Sequence, residues 1–343
     1  MAFFSFFTQE LAIDLGTANT LIIQDNKVVV EEPSIVAIDL RTNEVVAVGR
    51  KAMQMHEKTH KNLKTIRPLK DGVIADFQAA EAMIEGLIGM INDRKRFFTH
   101  LKMVICIPSG ITEVEKRAVF DSADHVDAKE TYLIFEPMAA ALGIGLDVEA
   151  PEGNMVIDIG GGTTEIAVIA LSGIVTDQSI RTAGDELTMD IIDFMKREYN
   201  LLVGERTAEQ IKIKVGAAIE DIKDIPEPLA VNGRDLVTGI PRQVEIRHKE
   251  IARALDNSIK KIEEAVLKAL EDTPPELASD IFRRGIYLTG GGALLRGLDV
   301  RLSRKTKLNV QVAEDPLRAV VRGTGLVLKN TSRYSFLVNR KNL

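Results

Sequence analysis

Residues 156–169 read VIDIGGGTTEIAVI: two apolar runs on either side of Asp158, Gly160, Gly161, Gly162, Thr163 and Thr164. β-rich runs joined by a glycine-rich turn read as a hairpin. Three consecutive glycines exceed what a turn needs. Lacking Cβ atoms, they let backbone N–H groups approach a bound group, and clustered N–H groups favour anions, phosphate above all. A lone carboxylate on so apolar a strand is costly to bury unless a cation or donors satisfy it. Acid, glycines and hydroxyls in this order point to a metal-bound phosphate. Standing alone, the stretch reads equally well as a plain glycine turn that binds nothing. It does not stand alone. Residues 12–23, AIDLGTANTLII, repeat the order with Asp14, Gly16, Thr17, Asn19 and Thr20. Ile13 to Gly16 aligns on Ile157 to Gly160 without a gap, and Thr20 falls on Thr164. The separation is far too long for a solenoid repeat. It predicts two related domains, each offering one phosphate hairpin to a shared cleft.

Length agrees, since 343 residues suggest two domains with ample chain for a large core. A net charge of −6 argues against nucleic acid as the main partner, because such partners usually demand a basic face. The single cysteine, Cys106, lies in the apolar run 103–107 and is expected as a buried small hydrophobe, which leaves no disulfide or zinc framework. No apolar run reaches the length of a membrane span. The opening MAFFSFF lacks the basic start and long apolar centre of a signal peptide, so a cytoplasmic protein is expected.

Along the chain, residues 28–48 alternate as strands, broken at Pro33 and Asn43. Residues 50–64 are basic and helical or looped; His56 and His60 sit at i, i+4 spacing, but no third ligand joins them and a solvated face is expected. Helical periodicity covers 74–92, and a buried strand covers 103–108. Thr112 and Glu115 form a capping-box pattern that opens a helix through Asp124. A short strand at 132–135 runs into Glu136-Pro137 and the small-residue run 139–146, expected to cross between the domains. Glu136, at a strand end before a proline-started helix, reads either as a catalytic acid or as an acid favoured by the helix dipole. Further helices are expected at 187–199, at 207–215 with Thr207 and Gln210 as a second capping box, and at 249–270. Asn232-Gly233 signals a hairpin turn between 229–231 and 236–237. A strand at 285–289 feeds Gly290-Gly291-Gly292, where close backbone approach explains glycine. A dinucleotide-binding reading needs GxGxxG and an acid about 20 residues on, which GGGALL fits poorly. The tail from Asn330 is polar, with Phe336 and Leu337 placed to dock it.

Two stretches suit a membrane surface. Phe3, Phe4, Phe6 and Phe7 either start the first strand or form an exposed apolar patch. Arg94-Lys95-Arg96 beside Phe97 and Phe98 suits an anionic leaflet, where each basic residue contributes roughly 1 kcal/mol.

The paired hairpins and the later LTGGGALL at 288–295 resemble the actin, Hsp70 and sugar-kinase superfamily of ATPases. Within it, DLGTANT, IPSGIT, FEPMAAALGIGL, DIGGGTTEIAV and GERTAEQIKIKVG resemble the MreB family of bacterial actins, in the expected order along essentially the whole chain. The resemblance implies an α/β, actin-like ATPase fold: two related domains, each a mixed β-sheet flanked by helices, around a nucleotide cleft, each with a smaller outer subdomain. It divides the chain into 1–35, 72–150 and 320–343 (IA), 36–71 (IB), 151–186 and 250–319 (IIA), and 187–249 (IIB), with 139–146 and 315–328 as connectors. It implies ATP and Mg²⁺. Asp14 and Asp158 would hold the metal through waters, since Mg²⁺ dehydrates reluctantly. Gly16, Thr17, Ala18 and Asn19 would cradle the phosphates from one hairpin, and Gly160, Gly161, Gly162 and Thr163 from the other. The helix carrying Glu209, Gln210, Ile211 and Lys212 would line the adenosine pocket, although Glu209 and Lys212 also suit a plain ion pair. Gly290, Gly291, Gly292, Ala293 and Leu294 would face adenine and ribose. Glu136 becomes the water-positioning catalytic acid, helped by the Thr163 hydroxyl; with no arginine finger evident, slow turnover is expected.

The resemblance further implies filaments of paired antiparallel protofilaments at the inner face of the cell membrane. Phe97 and Phe98 fall where the family's hydrophobic loop lies. Partners would be the membrane surface and the cell-wall elongation machinery, with no nucleic acid, and the role would be control of rod shape. An actin-fold kinase acting on a small metabolite is the alternative, and Glu136 does not separate the two. An Hsp70-type chaperone would need a substrate-binding region after the ATPase fold.

Overall fold

The computed structural model describes residues 8–91 and 100–340. The chain forms two compact units, one of Met1–Pro151, Ile169–Val175 and Leu317–Leu343, the other of Glu152–Val168 and Thr176–Pro316. Phe3, Phe4, Phe6, Phe7, Phe97 and Phe98 lie outside the described residues.

The first unit opens on a meander: β1 (Thr8–Leu15), β2 (Asn19–Gln24) and β3 (Lys27–Pro33). Asp25 and Asn26 join the last two with φ of 50° and 61°, the left-handed pair that a two-residue hairpin requires. Pro33 ends β3, as expected. A small sheet follows from β4 (Val36–Asp39), β5 (Glu44–Val48) and β6 (Leu63–Ile66) in the order β5-β4-β6, with α1 (Arg50–Met55) beside it. Because α1 stops at Met55, His56 and His60 share no helical face: His56 Nδ1 meets Thr65 Oγ1 at 2.8 Å, while His60 Nδ1 accepts the Asn62 N–H at 3.3 Å. The short pair β7 (Leu69–Lys70) and β8 (Val73–Ile74) follows, and β8 takes up Ile74, with which the next helix was expected to begin. That helix, α2 (Phe77–Ile91), starts where Asp76 Oδ1 accepts the Ala79 N–H at 3.0 Å.

Then come β9 (His100–Ile107), α3 (Glu113–His125), β10 (Ala128–Phe135) and α4 (Glu136–Gly143). Both halves of the Thr112–Glu115 capping box form. β9 and β10 add to β1 in parallel, and the core between this sheet and its helices is built from Leu11, Ile13, Met83, Leu87, Met103 and Leu133.

The plan repeats in the second unit. Its meander is β11 (Asn154–Ile159), β12 (Thr164–Ala170) and β13 (Gly173–Ile180), of which the β12–β13 turn, Ile169–Val175, is counted with the first unit; α5 (Gly184–Tyr199), β14 (Leu201–Leu202) and α6 (Glu205–Val215) follow. Next come β15 (Leu229–Asp235), β16 (Pro241–Ile246), α7 (His248–Glu271), α8 (Pro275–Arg284), β17 (Ile286–Thr289), a 3₁₀ turn at Gly291–Leu294, α9 (Leu298–Thr306) and β18 (Val310–Val312). The main sheet runs β13-β12-β11-β17-β18. In the first unit the matching strands run β3-β2-β1-β9-β10, so the sequence repeat is a repeat of topology. The long apolar stripe of α7 is core: Ile251, Leu255, Ile259, Ile262 and Val266 are buried.

Two expectations fail here. α6 begins at Glu205 with Gly204 as its cap and no side-chain cap bond, so Thr207 lies within the first turn and caps nothing. Asn232-Gly233 is not a turn; β15 runs straight through it, pairing Asn232 with Gln243 and Gly233 with Arg242. Glycine is needed at 233 because a Cβ would lie 2.7 Å from both Leu201 Cγ and Leu202 O on the neighbouring β14. The turn falls later, where Asp235 Oδ1 accepts the N–H groups of Val237 and Thr238 and Gly239 takes a φ of 76°.

After Pro316 the chain returns to the first unit as α10 (Ala319–Lys329) and β19 (Asn339–Arg340), which pairs antiparallel with β10. α4 and α10, the two segments expected as connectors, pack against each other within that unit. Leu337 is buried and docks the tail; Phe336 is 54% exposed and does not. Among the described residues no helix is long and apolar enough to cross a membrane.

Candidate functional site

Each unit carries one of the two expected hairpins at the carboxyl ends of its parallel strands, where α/β sheets place ligands. In the first unit, Asp14 sits one residue from the end of β1, level with Leu21 on β2 and Cys106 on β9. Cys106 Sγ donates to Asp14 Oδ1 at 3.2 Å. Burial pushes the Asp14 carboxyl up to about 6, and the thiol contact offsets part of that rise. The Cys106 thiol is itself driven well above its ordinary range, first by burial and then by the charges of Asp14 and Glu136. Glu136 follows β10 directly as the first residue of α4.

The hairpin tip is held by residues from outside it. A Cβ at Gly16 would lie 2.6 Å from Asn19 O, so only glycine permits this turn. Ser34 Oγ donates to Gly16 O at 2.6 Å, and the Ser34 N–H donates to Ala18 O at 2.9 Å. Thr17 Oγ1 accepts the Gly72 N–H at 2.9 Å. Thr17 is buried, Ala18 half-buried and Asn19 exposed.

In the second unit Asp158 is level with Thr289 on β17, and Thr289 Oγ1 donates to Asp158 Oδ1 at 2.8 Å. The turn closes through Gly160 N–H to Thr163 O at 2.9 Å. The repeated threonines do equivalent work: Thr164 Oγ1 donates to Thr182 O at 2.7 Å, and Thr20 Oγ1 meets Ser34 Oγ at 2.9 Å. Each hydroxyl thus holds the chain just past the third strand of its meander.

The start of α5 is tied to this hairpin, with Gly184 N–H donating to Gly160 O at 3.1 Å and Asp185 N–H to Gly161 O at 2.8 Å. Lys212 then reaches in from α6, donating to Gly184 O at 2.7 Å and Thr188 Oγ1 at 2.9 Å while pairing with Glu209 Oε2 at 2.7 Å. So Glu209 and Lys212 do form an ion pair, and Lys212 reaches Gly184, which is itself bonded to the Gly160 turn. Gln210 is exposed, and Ile211 is wholly buried in the core, so only its backbone could meet a ligand. Of the third glycine cluster, Gly290 (φ 78°) and Gly292 press on Ile159, leaving no room for a Cβ at either. Gly291 and Leu294 are exposed and Ala293 is buried. The close backbone approach inferred from the glycines is therefore an approach to the hairpin strand itself.

Sequence reasoning missed Cys106, Thr289, Ser34, Gly184 and Thr188. Only Thr289 carried a signal, standing directly before the glycine triplet. Among the described residues no group of three or more His, Cys, Asp or Glu could hold a metal. One carboxylate per hairpin, Asp158 buried and Asp14 half-buried, fits Mg²⁺ of the kind that keeps its waters and arrives with phosphate oxygens.

One strand order used twice, with an acid-and-glycine hairpin at the same place in each copy, defines a protein of the actin-like fold. The MreB/Mbl protein family model matches residues 8–335. The cell shape-determining protein Mbl of Bacillus subtilis (strain 168) is 48% identical over 328 residues, covering 95% of this chain and 98% of that protein. The cell shape-determining protein MreB of Escherichia coli (strain K12) is 47% identical over 330 residues, 94% of each. The crystal structure of MreB 5 of Spiroplasma citri bound to AMPPNP superposes with a TM-score of 0.89 at 37% identity, covering 96% of this chain and 98% of that one. The chain belongs to the MreB/Mbl family.

Proposed function

We propose that this protein is an ATP-dependent cytoskeletal filament protein that hydrolyses ATP slowly and helps set rod cell shape from the inner face of the cell membrane. The observation that carries the reading is the pair of matched half-sites, in a chain whose family relative was crystallised with AMPPNP. Asp14 and Asp158 would hold a hydrated Mg²⁺, which would supply neutralisation of phosphate charge. Backbone N–H groups of Thr17, Ala18 and Asn19 and of Gly161, Gly162 and Thr163 meet the phosphates. Gly16 and Gly160 permit the two turns. Glu209, Gln210, Lys212 and the Ile211 backbone bound the adenosine side, with residues 290–294 against base and ribose.

Glu136, at the end of β10 on the same sheet edge as Asp14, orients the attacking water with help from the Thr163 hydroxyl. Phosphoryl transfer asks mostly for positioning and charge stabilisation; the slow rate rests on the family resemblance. Residues 36–71 and 187–249 act as the outer subdomains, each built around its own three-stranded sheet. Membrane attachment through residues 3–7 and 97–98, paired antiparallel protofilaments and docking to the wall-elongation machinery rest on the family resemblance. The family match and the cell-shape relatives give a metabolite kinase no support.

The test is cosedimentation with anionic liposomes, with and without Mg-ATP, followed by negative-stain images of the pellet. Nucleotide-dependent filaments lying on the vesicles are expected. A soluble monomer that turns over ATP only when a metabolite is added would overturn the reading.

A further inference from the structure

The acids of the two hairpins share a feature that neither hairpin contains. Asp14 lies directly opposite Cys106 in the parallel β1–β9 register, and Asp158 lies directly opposite Thr289 in the parallel β11–β17 register. In each case the opposite side chain donates to Oδ1 of the acid, the thiol at 3.2 Å and the hydroxyl at 2.8 Å. Neighbours level with each other across two strands project from the same face of the sheet, which is why such unlike residues reach equivalent atoms. The donors occupy corresponding places in the repeat, each on the first parallel strand beside the meander.

We propose that Cys106 and Thr289 are paired positioning residues, cross-strand donors that orient the carboxylates of Asp14 and Asp158 for a hydrated Mg²⁺. This deepens the nucleotide-binding reading and rests on it. The physical case is that both donors are neutral. A lysine or arginine at either place would orient the carboxylate equally well but would compete with the cation for its charge. A thiol or hydroxyl fixes one oxygen and leaves the negative charge intact. Partners of this kind, one step removed from a metal, commonly change metal affinity by about 10–100-fold when lost. The two are unequal, because a thiol is a weak donor and its contact is longer. The Thr289 side should therefore matter more than the Cys106 side.

The test uses the full chain and four substitutions: Cys106→Ser, Cys106→Ala, Thr289→Ser and Thr289→Val. Binding of a fluorescent ATP analogue is followed while Mg²⁺ is titrated, with a parallel series in EDTA. The Mg²⁺ half-saturation point should rise about 10-fold or more in Thr289→Val and less in Cys106→Ala. Both serine variants should stay near wild type, and binding in EDTA should be unchanged throughout. If Thr289→Val and Thr289→Ser behave alike, or if binding in EDTA falls as far as binding in Mg²⁺, the positioning role is overturned. If wild-type binding of the analogue does not respond to Mg²⁺, the positioning role is overturned; if the wild-type protein binds no analogue with or without Mg²⁺, the nucleotide reading itself fails, which is a distinguishable result.

Discussion

A Cβ built on Gly143 would overlap the carbonyl oxygen of Ala319 and lie 2.8 Å from its carbon. The reverse holds across the same pair of helices, where a Cβ on Gly323 would overlap the carbonyl oxygen of Ala139. α4 and α10 therefore touch backbone to backbone, and glycine at both points is a condition of the packing. Gly143→Ala and Gly323→Ala should each destabilise the first unit by about 3 kcal/mol, the upper end of overpacking costs. Gly89, exposed near the end of α2 with open space around its missing Cβ, is the control. Gly89→Ala should stabilise by up to about 1 kcal/mol. Urea unfolding midpoints measure all three.

Glu136→Ala should leave ATP binding in place and slow phosphate release by about 100-fold or more, the usual loss when a positioned acid–base group goes. Single-turnover phosphate release, with binding measured separately, gives the two numbers. Unchanged turnover would remove Glu136 from the mechanism.

Lys212 ties three groups together: Gly184 O, Thr188 Oγ1 and Glu209 Oε2. Its removal in Lys212→Met should detach α6 from the start of α5 and weaken ATP binding by about 10-fold, the equivalent of one charge-assisted hydrogen bond. Lys212→Arg should not restore it, because a planar fork cannot reach three acceptors that surround a point charge. Calorimetric titration with Mg-ATP is the measurement, and full affinity in Lys212→Met would show that the triad is structural only.

The Asp235 carboxyl is held down from 3.8 to about 2, first by the Thr238 N–H, then by Arg242 and the Val237 N–H. A group whose pKa is depressed on folding stabilises above its unfolded value and loses that contribution as pH falls through the folded one. Asp235→Asn should therefore lower the melting temperature at neutral pH. The gap from wild type should close as pH falls from about 4 to about 2. A gap constant across that window would mean the carboxylate adds nothing to the turn.

Much of this protein was legible along the chain because the signals are local. The acid–glycine–hydroxyl repeat, the Thr112–Glu115 capping box, the apolar stripe of α7 and the break at Pro33 each depend on residues a few positions apart. The Asn232-Gly233 signal was just as local, and it failed because a strand distant in sequence, β14, packs where a side chain would stand. Where α1 stops within the basic stretch 50–64 was not marked by composition; His56, just past its end, meets Thr65 on β6.

The repeated hairpin pattern was enough to require two related units and to mark both acids. It contained nothing to show that a cysteine on β9 and a threonine on β17 hold those acids. Which residue stands opposite Asp14 or Asp158 depends on the register of parallel strands joined by long crossovers. That register is chosen by how whole helices and sheets bury their apolar faces, and no short stretch of the chain carries it.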